Sequence, residues 1–153
     1  MGADADADEA YGQLSPDGSW LAYCDIGRLE VYIRPFPNGP GVWPVSGAGP
    51  ERHSNAFEPR WSTDGKQLYF LTGVPSGRVT LMAVEIQPDG RGALHTGSPQ
   101  RLFDFRAPII AARFDVFSYS PHPDGKRFLV NALVDAGKPT VNIITNWQNA
   151  VPR

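Results

Sequence analysis

One short pattern recurs three times along this chain, and each copy reads as a tight hairpin. Leu14-Ser15-Pro16-Asp17-Gly18-Ser19-Trp20-Leu21-Ala22-Tyr23 is followed by Trp61-Ser62-Thr63-Asp64-Gly65-Lys66-Gln67-Leu68-Tyr69-Phe70, then by Pro123-Asp124-Gly125-Lys126-Arg127-Phe128-Leu129-Val130. Pro16 and Pro123 preset φ for the first corner of a type I turn, and Asp17, Asp64 and Asp124 suit the second corner. Gly18, Gly65 and Gly125 then supply the left-handed residue that closes a bulged hairpin. Four and six residues past each Asp stand Leu21/Tyr23, Leu68/Phe70 and Phe128/Val130, the alternation of a strand with one face on a core. The six turn residues are therefore expected to be architectural, not catalytic.

Composition points the same way. The 153 residues include 16 Gly and 15 Pro, and 41% are hydrophobic. A helical bundle does not absorb that many breakers, since an interior Pro costs about 3 kcal/mol and a Gly about 1. Collagen needs a Gly-X-Y period that is missing, and the apolar fraction is too high for general disorder. An all-β, turn-rich domain remains.

The copies lie 47 and 60 residues apart, counted from Asp17 to Asp64 to Asp124. Repeats of roughly 40–50 residues with several short strands are typical of propeller blades. The predicted strands are 11–14, 20–24, 29–34 and 42–45; then 57–62, 67–72, 79–86 and 99–105; then 114–119, 127–133 and 141–147. This describes a partial β-propeller of about three four-stranded antiparallel blades (about 11–47, 57–105 and 114–150), the last lacking its outer strand. The rival architecture is a β-sandwich that happens to use Asp-Gly hairpins. Before the third turn, Ser118-Tyr119-Ser120-Pro121-His122-Pro123 reads as extra residues, implying a bulge or a shifted register.

The hairpin pattern resembles the WD40-like (PD40) repeat of TolB-type propellers. More narrowly, residues 11–153 are similar to the C-terminal propeller blades of bacterial proteins in which such blades follow a serine/threonine kinase domain. The matching blocks are Val31-Tyr32-Ile33-Arg34-Pro35-Phe36-Pro37, Glu58-Pro59-Arg60-Trp61-Ser62-Thr63-Asp64-Gly65, Leu81-Met82-Ala83-Val84, Gly97-Ser98-Pro99-Gln100-Arg101-Leu102-Phe103, Asp124-Gly125-Lys126-Arg127-Phe128-Leu129-Val130-Asn131 and Asn146-Trp147. The resemblance implies a binding, scaffolding or sensory module. Kinase motifs are missing from the chain, as is the Gly-x-Ser-x-Gly elbow of hydrolases. A kinase or prolyl-oligopeptidase-type activity would therefore reside in a catalytic domain outside this chain, with these blades as its accessory propeller.

Charge excludes other classes. The formal net charge is −2, and Asp4, Asp6, Asp8 and Glu9 crowd the first ten residues. Residues 1–10 are expected to form an acidic, disordered segment, and they lack the basic and apolar regions of a signal peptide. The remainder is nearly neutral with scattered arginines, so the basic stripe of a nucleic-acid binder is missing. No apolar run approaches the ~18 residues of a helical membrane span. Cys24, the single cysteine, sits in a predicted buried strand, where it reads as a small hydrophobe more readily than as a reactive thiol.

Catalytic, cofactor and metal residues are expected to be none. His53, His95 and His122 have no local ligand spacing, although loops of neighbouring blades could bring two together. Trp20, Trp43, Trp61, Trp147, Phe36 and Tyr32 are mostly on strand positions and read as filling between blades. The segment 106–113 brackets an apolar run between two arginines, so Arg106, Ile109, Ile110 and Arg113 form a candidate interaction loop, the alternative being a buried connector. Closed propellers need typically 4–8 blades. Fewer than three complete blades imply a protein partner: the remaining blades of a larger propeller, or a second copy that closes a ring as a homo-oligomer. A propeller enzyme with a site in its central channel is the third class, and it requires converging His, Asp or Glu.

Overall fold

The computed structural model describes residues 8–47, 55–74, 77–90, 92–108, 117–135 and 138–145. Among them every regular element is a strand, and all pair antiparallel. The first sheet is β1 (Glu9–Leu14), β2 (Trp20–Asp25), β3 (Glu30–Pro35) and β4 (Trp43–Pro44), in that spatial order. The second contains β5 (Ala56–Trp61), β6 (Gln67–Gly73), β7 (Arg78–Pro88), β8 (Leu94–Thr96) and β9 (Gln100–Arg106). The third is β10 (Tyr119–Pro121), β11 (Arg127–Asp135) and β12 (Lys138–Thr145).

These sheets stack as blades. Along β6, Leu68 and Phe70 turn to the first blade, where they meet Trp20, Ala22, Val31 and Ile33; Tyr69 and Leu71 turn to the third, with Phe128, Val130 and Ala132. The middle sheet thus buries both faces in two separate cores. A two-layer sandwich has one shared interior, so the rival reading is overturned and the chain is a partial propeller.

All three turns have one construction. The amide of Gly18 donates to the Ser15 carbonyl, Gly65 to Ser62 and Gly125 to His122, at 2.9, 3.0 and 2.9 Å. The three glycines have φ of 72°, 70° and 65°. The hydroxyls of Ser15 and Ser62 donate to Asp17 and Asp64 and accept from the amides of Trp20 and Gln67. In the third turn His122 takes the serine's place, its Nδ1 lying 3.2 Å from the Asp124 amide. The expected insertion before Asp124 is therefore a His-for-Ser replacement. Pro121 pairs with Phe128 and Tyr119 with Val130 without a slip, so the strand before the turn sits later than 114–119.

Other bounds also move. β1 starts at Glu9 because Glu9 and Ala10 pair with Asp25 and Cys24, and the Glu9 carboxylate meets Arg34 at 3.1 Å; the expected disordered segment 1–10 is to that extent corrected. Residues 1–7, and with them Asp4 and Asp6, lie outside the described residues. The loop expected between strands 79–86 and 99–105 contains β8, which makes the second sheet five-stranded. Ile86 and Leu94, buried together against the first blade, hold that hairpin in place.

Two glycines separate strain from crowding. Gly18 has open space where a Cβ would sit, so Gly18→Ala is expected to cost about 1 kcal/mol from positive φ alone. At Gly73, φ is 120° and a Cβ would lie 2.7 Å from the Arg78 carbonyl oxygen. Urea denaturation should show Gly73→Ala clearly more destabilising than Gly18→Ala.

Candidate functional site

The inner edge of the sheets is the place where all three blades meet. β1, β5 and β10 each pair on one side only, and they precede equivalent turns. Two residues before Ser15, Ser62 and His122 stand Gln13, Arg60 and Ser120, and these three line one open pocket of about 310 Å³. Leu14, Pro16, Trp61 and Pro121 form its apolar walls.

Arg60 is the unusual member. Its guanidinium lies 3.6 Å over the Phe117 ring, and Phe117 meets Tyr11 edge-on at 5.4 Å. One residue from each blade thereby fixes the arginine's plane. Yet its Nε is buried without a hydrogen-bond partner. Stacking on an aromatic face orients a guanidinium while leaving its edge donors unspent.

Two residues upstream, Glu58 is fully buried. Its carboxylate accepts from the Ser118 amide at 2.6 Å and from the Ser118 hydroxyl at 2.9 Å, while its backbone carbonyl accepts from the Tyr119 hydroxyl at 2.8 Å. Burial pushes the Glu58 carboxyl up to about 7, against the opposing pull of the Ser118 donors and of Arg60. Glu58 has φ of 53° and Tyr11, at the equivalent place in the first blade, 57°; a bulge falls at each. Sequence reasoning missed Glu58 and Arg60. The signal available was their place four and two residues ahead of the turn serine.

A second concavity, about 670 Å³, runs between the turns of the second and third blades, with Lys66, Tyr69, Glu85, Gln87 and Lys126 on its walls. Asp64 and Asp124 border it as well, but both are spent on their own turns. Donors from Ser62 and Lys66 hold Asp64 below the usual carboxylate range, and the Lys126 amide with Arg127 holds Asp124 at about 2.

The remaining sequence candidates disperse. Arg106 is exposed at the end of β9, while Ala107 and Pro108 are buried; Ile109, Ile110 and Arg113 lie outside the described residues. His95 is exposed on β8, His122 is exposed in its turn, and His53 lies outside the described residues. Among the described residues no three His, Cys, Asp or Glu gather where a metal could bind. The buried Cys24 thiol donates to the Ala56 carbonyl at 3.3 Å and is pushed to about 12, chiefly by burial, the reverse of nucleophile activation. Trp20 and Trp61 fill the space between the first two blades, with Trp43 edge-on to Trp20 at 5.5 Å. Phe36 is exposed and Trp147 lies outside the described residues.

The outward faces of the two end blades complete the picture. In the second and third blades, the residues four and six past the turn Asp pack on the preceding blade. In the first blade these are Leu21 and Tyr23, before which no blade stands among the described residues. Tyr23 instead stacks on Tyr32 at 5.9 Å, with Arg34 over its ring at 5.5 Å. On β11 the residues that would meet a following blade are Leu129, 45% exposed, with Asn131 and Leu133 half-buried.

No family model matches the chain, and no curated protein matches it in sequence. Among solved structures it is similar to a proposed 6-phosphogluconolactonase from Bacteroides uniformis, with 20% identity and a TM-score of 0.53 over 95% of this chain and 40% of that one. TolB from Acinetobacter baumannii matches with 17% identity and a TM-score of 0.53, over 88% of this chain and 29% of that one. A second proposed 6-phosphogluconolactonase, from Bacteroides fragilis, gives 14% and 0.51 over 95% and 41%. None of these likenesses carries the kinase association that the sequence blocks suggest. The chain spans less than half the length of each, and what they show is its fold: a β-propeller segment resembling the TolB and lactonase propellers.

Proposed function

We propose that this chain is a non-enzymatic propeller segment that works as a protein-binding, scaffolding or sensory module and is completed by further blades. The observation that carries the reading is the register of its end blades, each of which turns outward the face that the inner blades bury against a neighbour. A coverage of 40% and 29% of the similar propellers supports it. The inert placement of Cys24 and the separate, exposed positions of His95 and His122 favour binding over catalysis. Service as the accessory propeller of a kinase or a prolyl-oligopeptidase-type hydrolase rests on the order of the sequence blocks alone.

Light scattering on the purified chain tests this. Self-association is expected, with two copies closing a ring as the simplest product, and Leu129→Glu should weaken it by placing a charge on the outward face. A monodisperse monomer across a broad concentration range would count against the reading.

A further inference from the structure

We propose that the inner-edge pocket binds a single carboxylate carried on an apolar body, with Arg60 as its anchor. The pocket joins one cation to neutral polar side chains, Gln13, Ser62, Thr63 and Ser120, and to apolar walls from Leu14, Pro16, Trp61 and Pro121. No hydrogen bond or ion pair engages the Arg60 side chain among the described residues, and its Nε is buried unsatisfied. Nε is closed off from the pocket, so the donors a ligand would meet are the terminal Nη groups, which also have no hydrogen-bond acceptor among the described residues.

Charge selects the ligand. A guanidinium fork matches a carboxylate through two parallel N–H···O bonds. A phosphate dianion calls for more positive charge than Arg60 supplies, the only basic residue on the wall among the described residues. The nearby carboxylate, Glu58, is already held by Ser118 from the third blade. The Phe117 ring blocks one face of the guanidinium and leaves its edge for recognition. Trp61, whose indole N–H donates to the Gln13 carbonyl at 3.1 Å, spans two blades at the pocket wall and reports on occupancy.

The test is an NMR titration of the full chain with N-acetyl-leucine, N-acetyl-leucine amide and inorganic phosphate, following the Trp61 indole N–H. Saturable shifts are expected with the acid and not with the amide, and Arg60→Met should weaken the acid by about tenfold or more. Arg60→Lys, which keeps charge but loses the fork, should fall between. Equal response to acid and amide, or unchanged binding by Arg60→Met, overturns the proposal; phosphate binding more tightly than the acid overturns the choice of a carboxylate. If Arg60→Met does not fold, the exposed Ser120→Ala replaces it, with weakened acid binding expected and unchanged binding contrary. The titration gives its answer whatever the oligomeric state, so it fails or succeeds separately from the propeller-completion reading.

Discussion

Raising the pH from 4.5 to 8 is expected to remove about 3 kcal/mol of stability from this chain. The cause is Glu58, fully buried, whose carboxyl is raised from an ordinary 4.5 to about 7 in the folded state. Between those values the folded chain holds a proton that the unfolded chain has lost, so stability falls as pH rises and levels off above about 7. Both Glu58 oxygens accept, one from the Ser118 amide and the other from the Ser118 hydroxyl, and these donors oppose the rise without cancelling the effect of burial. Asp17, Asp64 and Asp124 are shifted downward by turn donors, so their opposite contribution falls at lower pH. Glu58→Gln keeps the shape but removes the titrating group, and should flatten the slope. Urea midpoints across this window decide the matter; a wild-type profile that is flat between pH 4.5 and 7 rejects the assignment.

Phe128→Ala should cost about 3–5 kcal/mol, a large share of the 5–15 available to a typical domain. Phe128 is fully buried and meets Tyr69 edge-on at 5.0 Å and Phe103 at 5.7 Å, which makes it the third blade's principal anchor on the second. The loss should be uneven. Hydrogen exchange is expected to rise first in β10 and β11, while β3, whose Val31 and Ile33 pack in the other core, keeps its protection. A cost below about 1 kcal/mol, or equal loss of protection in the first blade, would show that Phe128 does not hold the blades together.

Both expectations rest on contacts of unequal visibility in the sequence. Phe128 was legible: four residues past Asp124, it falls on the face that Leu68 presents in the second copy. Glu58 was not. Its partner Ser118 is sixty residues away, and the contact exists only because β5 and β10 come together at the inner edge. The same is true of Arg60 and Phe117. The β8 hairpin escaped for a different reason, since three residues are too few to show an alternation, and burial of Leu94 against the first blade decided it.

The local rules of this chain were written in its residues. An Asp-Gly pair after Pro or Thr sets a hairpin through backbone sterics and bonds spanning a few residues, and alternating apolar side chains say which face is buried. Such effects act over short sequence distances, so three copies were enough to read blades and their order. What each face is buried against, which bulges aim Glu58 inward, and how Gln13, Arg60 and Ser120 come to share one pocket were decided by stacking. Stacking depends on shape and solvation between segments dozens of residues apart, and no local pattern encodes that.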